Sequence, residues 1–338
     1  MDIKDDKRFV KAKQMNVLIT GAGGYIGSSL VDYLKTTGIA DEIYAFDNFL
    51  YNQGTHVYKV LKEKSTFYKE DVLNFSQNLI ESINKADVII PLAAIVGAPA
   101  CDKLPDYSQR INHEWYHTLV KVAEKSSNPP LIIYPNTNSG YGTTGQDICT
   151  EETLSNPLSL YGKAKQDTED YLIENYEKSI CFRLATVFGW SHRPRLDLLV
   201  NNLTYEALFS KHIDVFDGHF RRNYIHVQDI CRAFAFAIEK SAKMSGNIYN
   251  LGNDDANTTK KELVGLVCGL TGASFSEVSN RTDPDKRDYI VSSQKLYDLG
   301  YHATLGLEKG IKEVAGFLNF LPEDKEERVK QTLSMFNY

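Results

Sequence analysis

The stretch MNVLITGAGGYIG, residues 15–27, decides the fold. Met15–Thr20 is a short apolar run ended by glycine, the pattern of a buried strand. The glycines that follow permit a tight turn and let the main chain approach a pyrophosphate. The amphipathic stretch Tyr25–Thr36, stopped at Gly38, supplies a helix N-terminus whose free N–H groups and dipole favour that anion. A glycine heptad alone is weak evidence; one set between a strand and a helix is specific. Asp47 closes the next apolar run, Glu42–Phe46, twenty residues after Gly27. An acidic residue there accepts hydrogen bonds from ribose hydroxyls and repels a 2′-phosphate, which points to NAD rather than NADP.

The same rhythm continues outward. Phe67-Tyr68 leads into Asp71-Val72, and Ala86–Ala94 reads as a strand ending in small residues. Ser108–Lys125 has helical spacing, Leu131–Tyr134 is a strand followed by a polar loop, Ser159–Glu177 is helical, and Ile180–Phe188 is a strand again. Strands alternating with helices predict an α/β, doubly wound parallel (Rossmann) sheet covered on both faces. After Gly189 the rhythm loosens into a basic loop, Trp190–Arg195, and a helical stretch, Leu196–Ser210, and resumes at Phe220–Asp229. At 338 residues the chain exceeds what one core normally serves. We therefore expect a tail over 1–14, an NAD-binding domain over 15–187 with 216–252 interleaved, and a smaller α+β substrate lobe from 188–215 and 253–338.

Composition narrows the partners. A net charge of −6 with no basic stripe argues against nucleic acid. No apolar run approaches the roughly 18 residues that span a bilayer, and the charged N-terminus lacks the apolar core of a secretory signal, so no membrane partner is expected. Cys101, Cys149, Cys181, Cys231 and Cys268 are far apart and form no CxxC pair. This odd, scattered set predicts reduced thiols in a cytoplasmic protein and no metal.

Tyr161 and Lys165 stand four residues apart on a predicted helix, hence on one face. Phenol titrates near 10 in water, too high for a base at neutral pH, and an adjacent ammonium lowers that value. Tyr161 can then take a proton from a hydroxyl while hydride leaves the same carbon. In isolation such a pair is more often a solvated helix face. Its place, one strand and one polar loop after the cofactor region, reverses that weighting, because ligands of doubly wound sheets bind at the carboxyl ends of the strands. Thr137, just past Leu131–Tyr134, is set to hydrogen-bond the reacting oxygen, although a loop-capping hydroxyl is the plain alternative.

Together these residues resemble the extended short-chain dehydrogenase/reductase, or NAD-dependent epimerase/dehydratase, family, whose members act on nucleotide-sugars. The resemblance runs from Met15 onward. It rests on Gly21, Gly24 and Gly27, Asp47-Asn48, Asp71-Val72, Leu92-Ala93-Ala94, Asn112, Thr137 with Tyr141-Gly142, and Tyr161/Lys165. Further on come Arg222–Val227 with Asp229, Arg287-Asp288-Tyr289, Lys295 and Leu299-Gly300-Tyr301. Within the family, IIPLAAIVGAP, IYPNTNSGYG, FRLATVFG, RLDLLVN, HFRRNYIHV and DPDKRDYIVS are most similar to the GDP-heptose 4-dehydrogenases of capsule-sugar, that is polysaccharide, biosynthesis.

The resemblance implies a cofactor set of Gly21, Gly24, Tyr25, Ile26, Gly27, Asp47, Asn48, Asp71 and Val72 beside the adenine, Leu92, Ala93, Ala94, Asn112, Tyr161 and Lys165. It implies a substrate set of Val96, Thr137, Asn138, Ser139, Thr186, Asp197 and Leu198 with Arg222 and Arg287 on the nucleotide diphosphate, a grip suited to guanidinium forks. It also implies a homodimer through Ser108–Lys125 and Ser159–Glu177, although Leu119, Val122, Leu172 and Ile173 would serve a monomer core equally. Departures limit the chemistry. Where 4,6-dehydratases carry Asp-Glu after the threonine, this chain has Asn138-Ser139, and Ser139 replaces the cysteine of the fucose-pathway epimerases. Pro91 and Thr186 replace a histidine and an asparagine common in the family. The expected reaction is oxidation at C4 of a nucleotide-diphosphate sugar by NAD, either as a net 4-dehydrogenase or, with NAD retained, as a 4-epimerase. A non-catalytic NAD-binding sensor is the rival from another class.

Overall fold

Residues 15–20 form an inner strand of a seven-stranded sheet in which every pairing is parallel. The computed structural model describes residues 15–142, 148–279, 281–282 and 288–320. In chain order the strands are β1 (Met15–Thr20), β2 (Ala40–Phe46), β3 (Thr66–Tyr68), β4 (Val88–Pro91), β5 (Leu131–Thr137), β6 (Ile148–Cys149), β7 (Ser179–Leu184), β8 (Thr186–Phe188), β9 (His212–Val215), β10 (Arg221–His226), β11 (Asn247–Leu251), β12 (Asn253–Thr259), β13 (Ser274–Glu277) and β14 (Ile290–Val291). The large sheet runs β11-β7-β5-β4-β1-β2-β3. Chain order reverses between β1 and β4, and the crevice at such a switch point is where these folds bind ligands.

Alternation along the strands builds a core on each face. Val17, Ile19, Ile43, Ala45, Val88, Ile90, Ile133 and Phe182 face the helices Tyr25–Thr37 and Val227–Glu239, meeting Leu30, Leu34, Ile230 and Phe234. Leu18, Ile89, Ile132, Tyr134 and Cys181 face the other way and meet Leu79, Ile83, Tyr116, Leu119 and Leu172. Both faces are apolar because helices cover both, as parallel sheets require. A separate core of Phe188, Val200, Leu203, Tyr224, Leu263, Val264 and Ile311 lies under the smaller sheet β12-β10-β8.

Two elements differ from expectation. Ile180–Phe188 is not one strand. Its first half pairs with β5 and β11, while Thr186–Phe188 leaves at Ala185 to pair with Tyr224–His226 in the second sheet. Nor is Ser108–Lys125 one α-helix. Pro105–Gln109 gives way to a wider π turn at Arg110–Glu114 before the α-helix Trp115–Glu124. The tail 1–14 lies outside the described residues.

Candidate active site

The turn after β1 opens the site. Gly21 sits at φ +66°, and a Cβ there would lie 2.6 Å from the main chain of Leu92 and Ala93. A Cβ on Gly27 would stand 2.2 Å from the Gly21 carbonyl oxygen. Only glycine lets the turn fold this tightly against β4 and its own helix. The helix Tyr25–Thr37 starts at Gly24 with neither a side-chain cap nor an acidic residue in its first turn, so its N-terminus stays open to an anion.

At the tip of β2, Asp47 is buried. Its Oδ2 accepts from Gly23 N at 2.9 Å, and its Oδ1 accepts from Phe49 N at 2.8 Å and Gln53 Nε2 at 3.1 Å. Burial pushes the carboxyl up to about 6, and these donors only partly oppose it. Asp71, past β3, caps a short turn by accepting from Leu73 N. Its other oxygen accepts from Tyr107 Oη at 2.8 Å and Asn48 Nδ2 at 3.2 Å.

Across the crevice, β5 ends at Thr137, whose Oγ1 accepts from Ser139 N at 3.1 Å and lies 2.9 Å from Ser139 Oγ. The hydroxyl therefore caps its loop, the plain alternative of the sequence reading, and also lines the cavity. Ser139 follows, and Asn138 is buried with both amide atoms lacking a protein partner. The helix Leu160–Asn175, capped by Ser159 Oγ accepting from Gly162 N, carries Tyr161 and Lys165. Two links fix it against β5: Tyr134 Oη donates to Lys165 O at 3.2 Å, and Asn136 Nδ2 donates to Glu169 Oε2 at 2.7 Å. Glu169 is itself held by Arg183 at 2.7 Å in a buried ion pair. Lys165 Nζ sits 4.2 Å from the Tyr134 ring centre, and burial pulls its ammonium down to about 7.

These elements enclose a cavity of ≈950 Å³. It is lined by Gly21, Gly24–Gly27, Asp47, Asn48, Asp71, Val72, Leu92–Ala94, Val96, Thr137–Ser139, Tyr161, Lys165, Thr186, Asp197, Leu198 and Arg222. Asn112 stands one layer back. In its π turn it accepts from Ile95 N at 3.0 Å and donates to Ile95 O at 2.8 Å, so it braces the wall instead of touching the cavity. Arg287 lies outside the described residues. Arg222 is buried below Tyr289, its Nη1 donating to Arg221 O. Asp197 is paired with Arg195 at 2.5 Å. Tyr289, quoted above as part of a family motif, also lines the cavity, as do Tyr51, Gln53, Tyr107, Arg193 and Arg195, which were not singled out from the sequence; only the basic loop Trp190–Arg195 had signalled two of these. Among the described residues no cluster of three or more His, Cys, Asp or Glu side chains is placed to hold a metal, and no helix is long and apolar enough to cross a membrane. The five cysteines are buried, and none is in a disulfide.

A dinucleotide turn, an acid at the second strand and a tyrosine–lysine pair around one crevice define an NAD-dependent oxidoreductase. Residues 17–252 match the NAD dependent epimerase/dehydratase family, and the chain belongs to it; its cofactor is NAD. It is 26% identical to a UDP-glucuronate 4-epimerase of Arabidopsis thaliana, with 93% of this chain and 74% of that one covered. It is 25% identical to a UDP-glucose 4-epimerase of Mycolicibacterium smegmatis, with 90% and 98% covered. Its fold is similar to that of a Bacillus cereus UDP-glucuronic acid 4-epimerase in complex with a fluorinated UDP-sugar and NAD, at TM-score 0.80, 24% identity, and 90% and 99% coverage. The Thermotoga maritima UDP-glucose 4-epimerase with UDP-glucose gives TM-score 0.77, 24% identity, and 90% and 99% coverage.

Proposed function

We propose that this chain oxidises C4 of a nucleotide-diphosphate sugar with NAD, and that it is a 4-dehydrogenase of a GDP-linked heptose or hexose. The observation that carries the reading is the convergence of Thr137, Tyr161 and Lys165 on the cavity that begins at the Gly21–Gly27 turn. Tyr161 takes the hydroxyl proton as hydride passes to the cofactor, Thr137 orients that oxygen, and Lys165 stabilises the phenolate. The bound cofactor supplies the hydride acceptor. Arg222 and Arg287 take the nucleotide diphosphate, with Asp197 and Leu198 alongside, and residues of 188–215 and 253–338 form the substrate side of the cleft.

The Asn138 amide supports oxidation without dehydration. An amide cannot transfer the proton that elimination of water requires, but it can both donate to and accept from a sugar hydroxyl. Leaving it unsatisfied would cost about 1–3 kcal/mol, which favours its pairing with substrate. A 4-epimerase with retained NAD is the second reading, favoured by similarity to two 4-epimerases over 93% and 90% of this chain.

One screen separates the readings. The purified protein is denatured and the released cofactor identified by mass. The native protein is then offered GDP-, UDP-, CDP- and dTDP-sugars while NADH absorbance and product stereochemistry are followed. Accumulating NADH or a reduced second substrate supports the dehydrogenase; a 4-epimer without net NADH supports the epimerase. Released NADP, or turnover of simple alcohols only, overturns both. We also propose a homodimer seam on the helices Trp115–Glu124 and Leu160–Asn175.

A further inference from the structure

The loop after β8 carries a buried cation that the reaction scheme above does not use. Gly189–Arg193 runs along the first turns of the helix Tyr25–Thr37 and is pinned there by several polar links. Tyr25 Oη donates to Gly189 O at 2.5 Å, and Ser191 Oγ donates to Tyr25 O at 2.6 Å. Ser191 Oγ also lies 3.2 Å from Ser28 Oγ and accepts from Arg193 N at 3.3 Å. His192 Nε2 lies 3.0 Å from Asp32 Oδ2. The loop is thereby held in register with the glycine turn, and it delivers Arg193, 3% exposed, to the cavity wall. Asp47, Tyr51, Arg195 and Asp197 all act electrostatically on this guanidinium, and its Nη1 donates to Pro194 O at 2.6 Å.

We propose that Arg193 is a ligand of the cofactor's diphosphate, closing over the phosphates from the face opposite the Gly21–Gly27 turn. The inference rests on NAD binding at that turn and not on the identity of the sugar. A guanidinium offers a planar fork of donors matched to phosphate oxygens. The helix N-terminus supplies main-chain N–H groups from one side, and Arg193 supplies full charge from the other. Burial, with Arg195 next in effect, lowers its titration to about 10, and a docked diphosphate opposes both effects. The substrate also carries a diphosphate, but the pinning of Gly189–Arg193 to Tyr25 and Ser28 places Arg193 with the cofactor.

Calorimetric titration of cofactor-free wild type and Arg193→Gln with NAD, ADP-ribose, adenosine, UDP and GDP tests this. NAD and ADP-ribose are expected to bind at least about tenfold more weakly to the variant, the scale of one charge-assisted pair, while adenosine, UDP and GDP stay within about twofold. Loss confined to UDP and GDP assigns Arg193 to the substrate and overturns the proposal. So does unchanged binding throughout, or adenosine falling as far as NAD, since either indicates a structural role. If Arg193→Gln fails to fold by circular dichroism, Arg193→Lys decides. It keeps the charge and loses the fork, so NAD should weaken several-fold; NAD binding equal to wild type overturns the assignment.

Discussion

Tyr161 and Asp47 carry the sharpest residue-scale consequences. Replacing Tyr161 by Phe removes one hydroxyl and leaves the ring in place. If the phenolate is the base, kcat should fall at least about 100-fold, in line with general base catalysis, while NAD affinity moves less than about twofold. Steady-state kinetics and calorimetry on the same preparation check both; unchanged turnover refutes the catalytic assignment. Asp47 predicts a pH dependence. Its carboxyl rises from an ordinary 3.8 to about 6 because it is buried. A raised value means that the folded, cofactor-free chain holds this proton more tightly than the unfolded chain. Its contribution to stability is complete below 3.8 and is lost as pH rises through about 6. Cofactor binding runs the other way, because ribose hydroxyls donate to the ionised form. NAD affinity should therefore climb between about pH 5 and 7 and then level off, and Asp47→Asn should flatten that slope. A wild-type Kd that does not change across this range counts against Asp47 as the ribose acceptor.

The glycine turn is an element whose geometry follows from its sequence. A Cβ on Gly27 would fall 2.2 Å from Gly21 O and 2.8 Å from Ala22 Cα, both main-chain atoms that cannot step aside. On Gly24 the nearest atom is Gly21 O at 3.1 Å. Gly27→Ala should therefore lower the melting temperature by several degrees and abolish NAD binding, and Gly24→Ala should do less of both. Thermal melts with and without NAD test the ranking, and equal melting points for the two variants would contradict it. This turn was readable beforehand because its meaning is local, a strand, three spaced glycines and a helix within thirteen residues. Tyr161 and Lys165 were readable for the same reason, a spacing of one helical turn. The break at Ala185 was not. Ile180–Leu184 and Thr186–Phe188 are alike as apolar runs, and what separates them is pairing with β11 and β10, which lie far along the chain. Asn112 was placed at the right wall but a layer too close, because the π turn that aims its amide at Ile95 leaves no periodic trace. Tyr51 and Tyr107 reach the cavity only through long-range packing that no local spacing announced, and of Arg193 the sequence showed only its place in a basic loop.

At the scale of the whole molecule, the two helices that carry the site's back wall also present a half-buried aromatic strip. Leu119 and Leu172 are fully buried within one chain, so they belong to the monomer's own core. Val122 and Ile173 pack only partly against that core. Beside them the His113 and His117 rings lie 4.8 Å apart, and His117 and Tyr171 lie 4.2 Å apart. His113 Nδ1 lies 2.9 Å from Thr168 Oγ1, and Thr168 Oγ1 donates to Asn112 O, which ties the strip rigidly to the π turn behind the cofactor wall. Apolar and aromatic groups left half-covered on adjacent helices gain by burial against a second copy. A seam there would also hold the helix bearing Tyr161 and Lys165 in place. Light scattering at micromolar concentration should therefore give twice the chain mass of 38.2 kDa. Tyr171→Glu, which puts a charge in the strip about ten residues from Tyr161, should shift the protein to monomer and weaken turnover while leaving the monomer folded. A wild type that scatters as a single chain, or a Tyr171→Glu protein that stays dimeric, removes this seam from the description of the molecule.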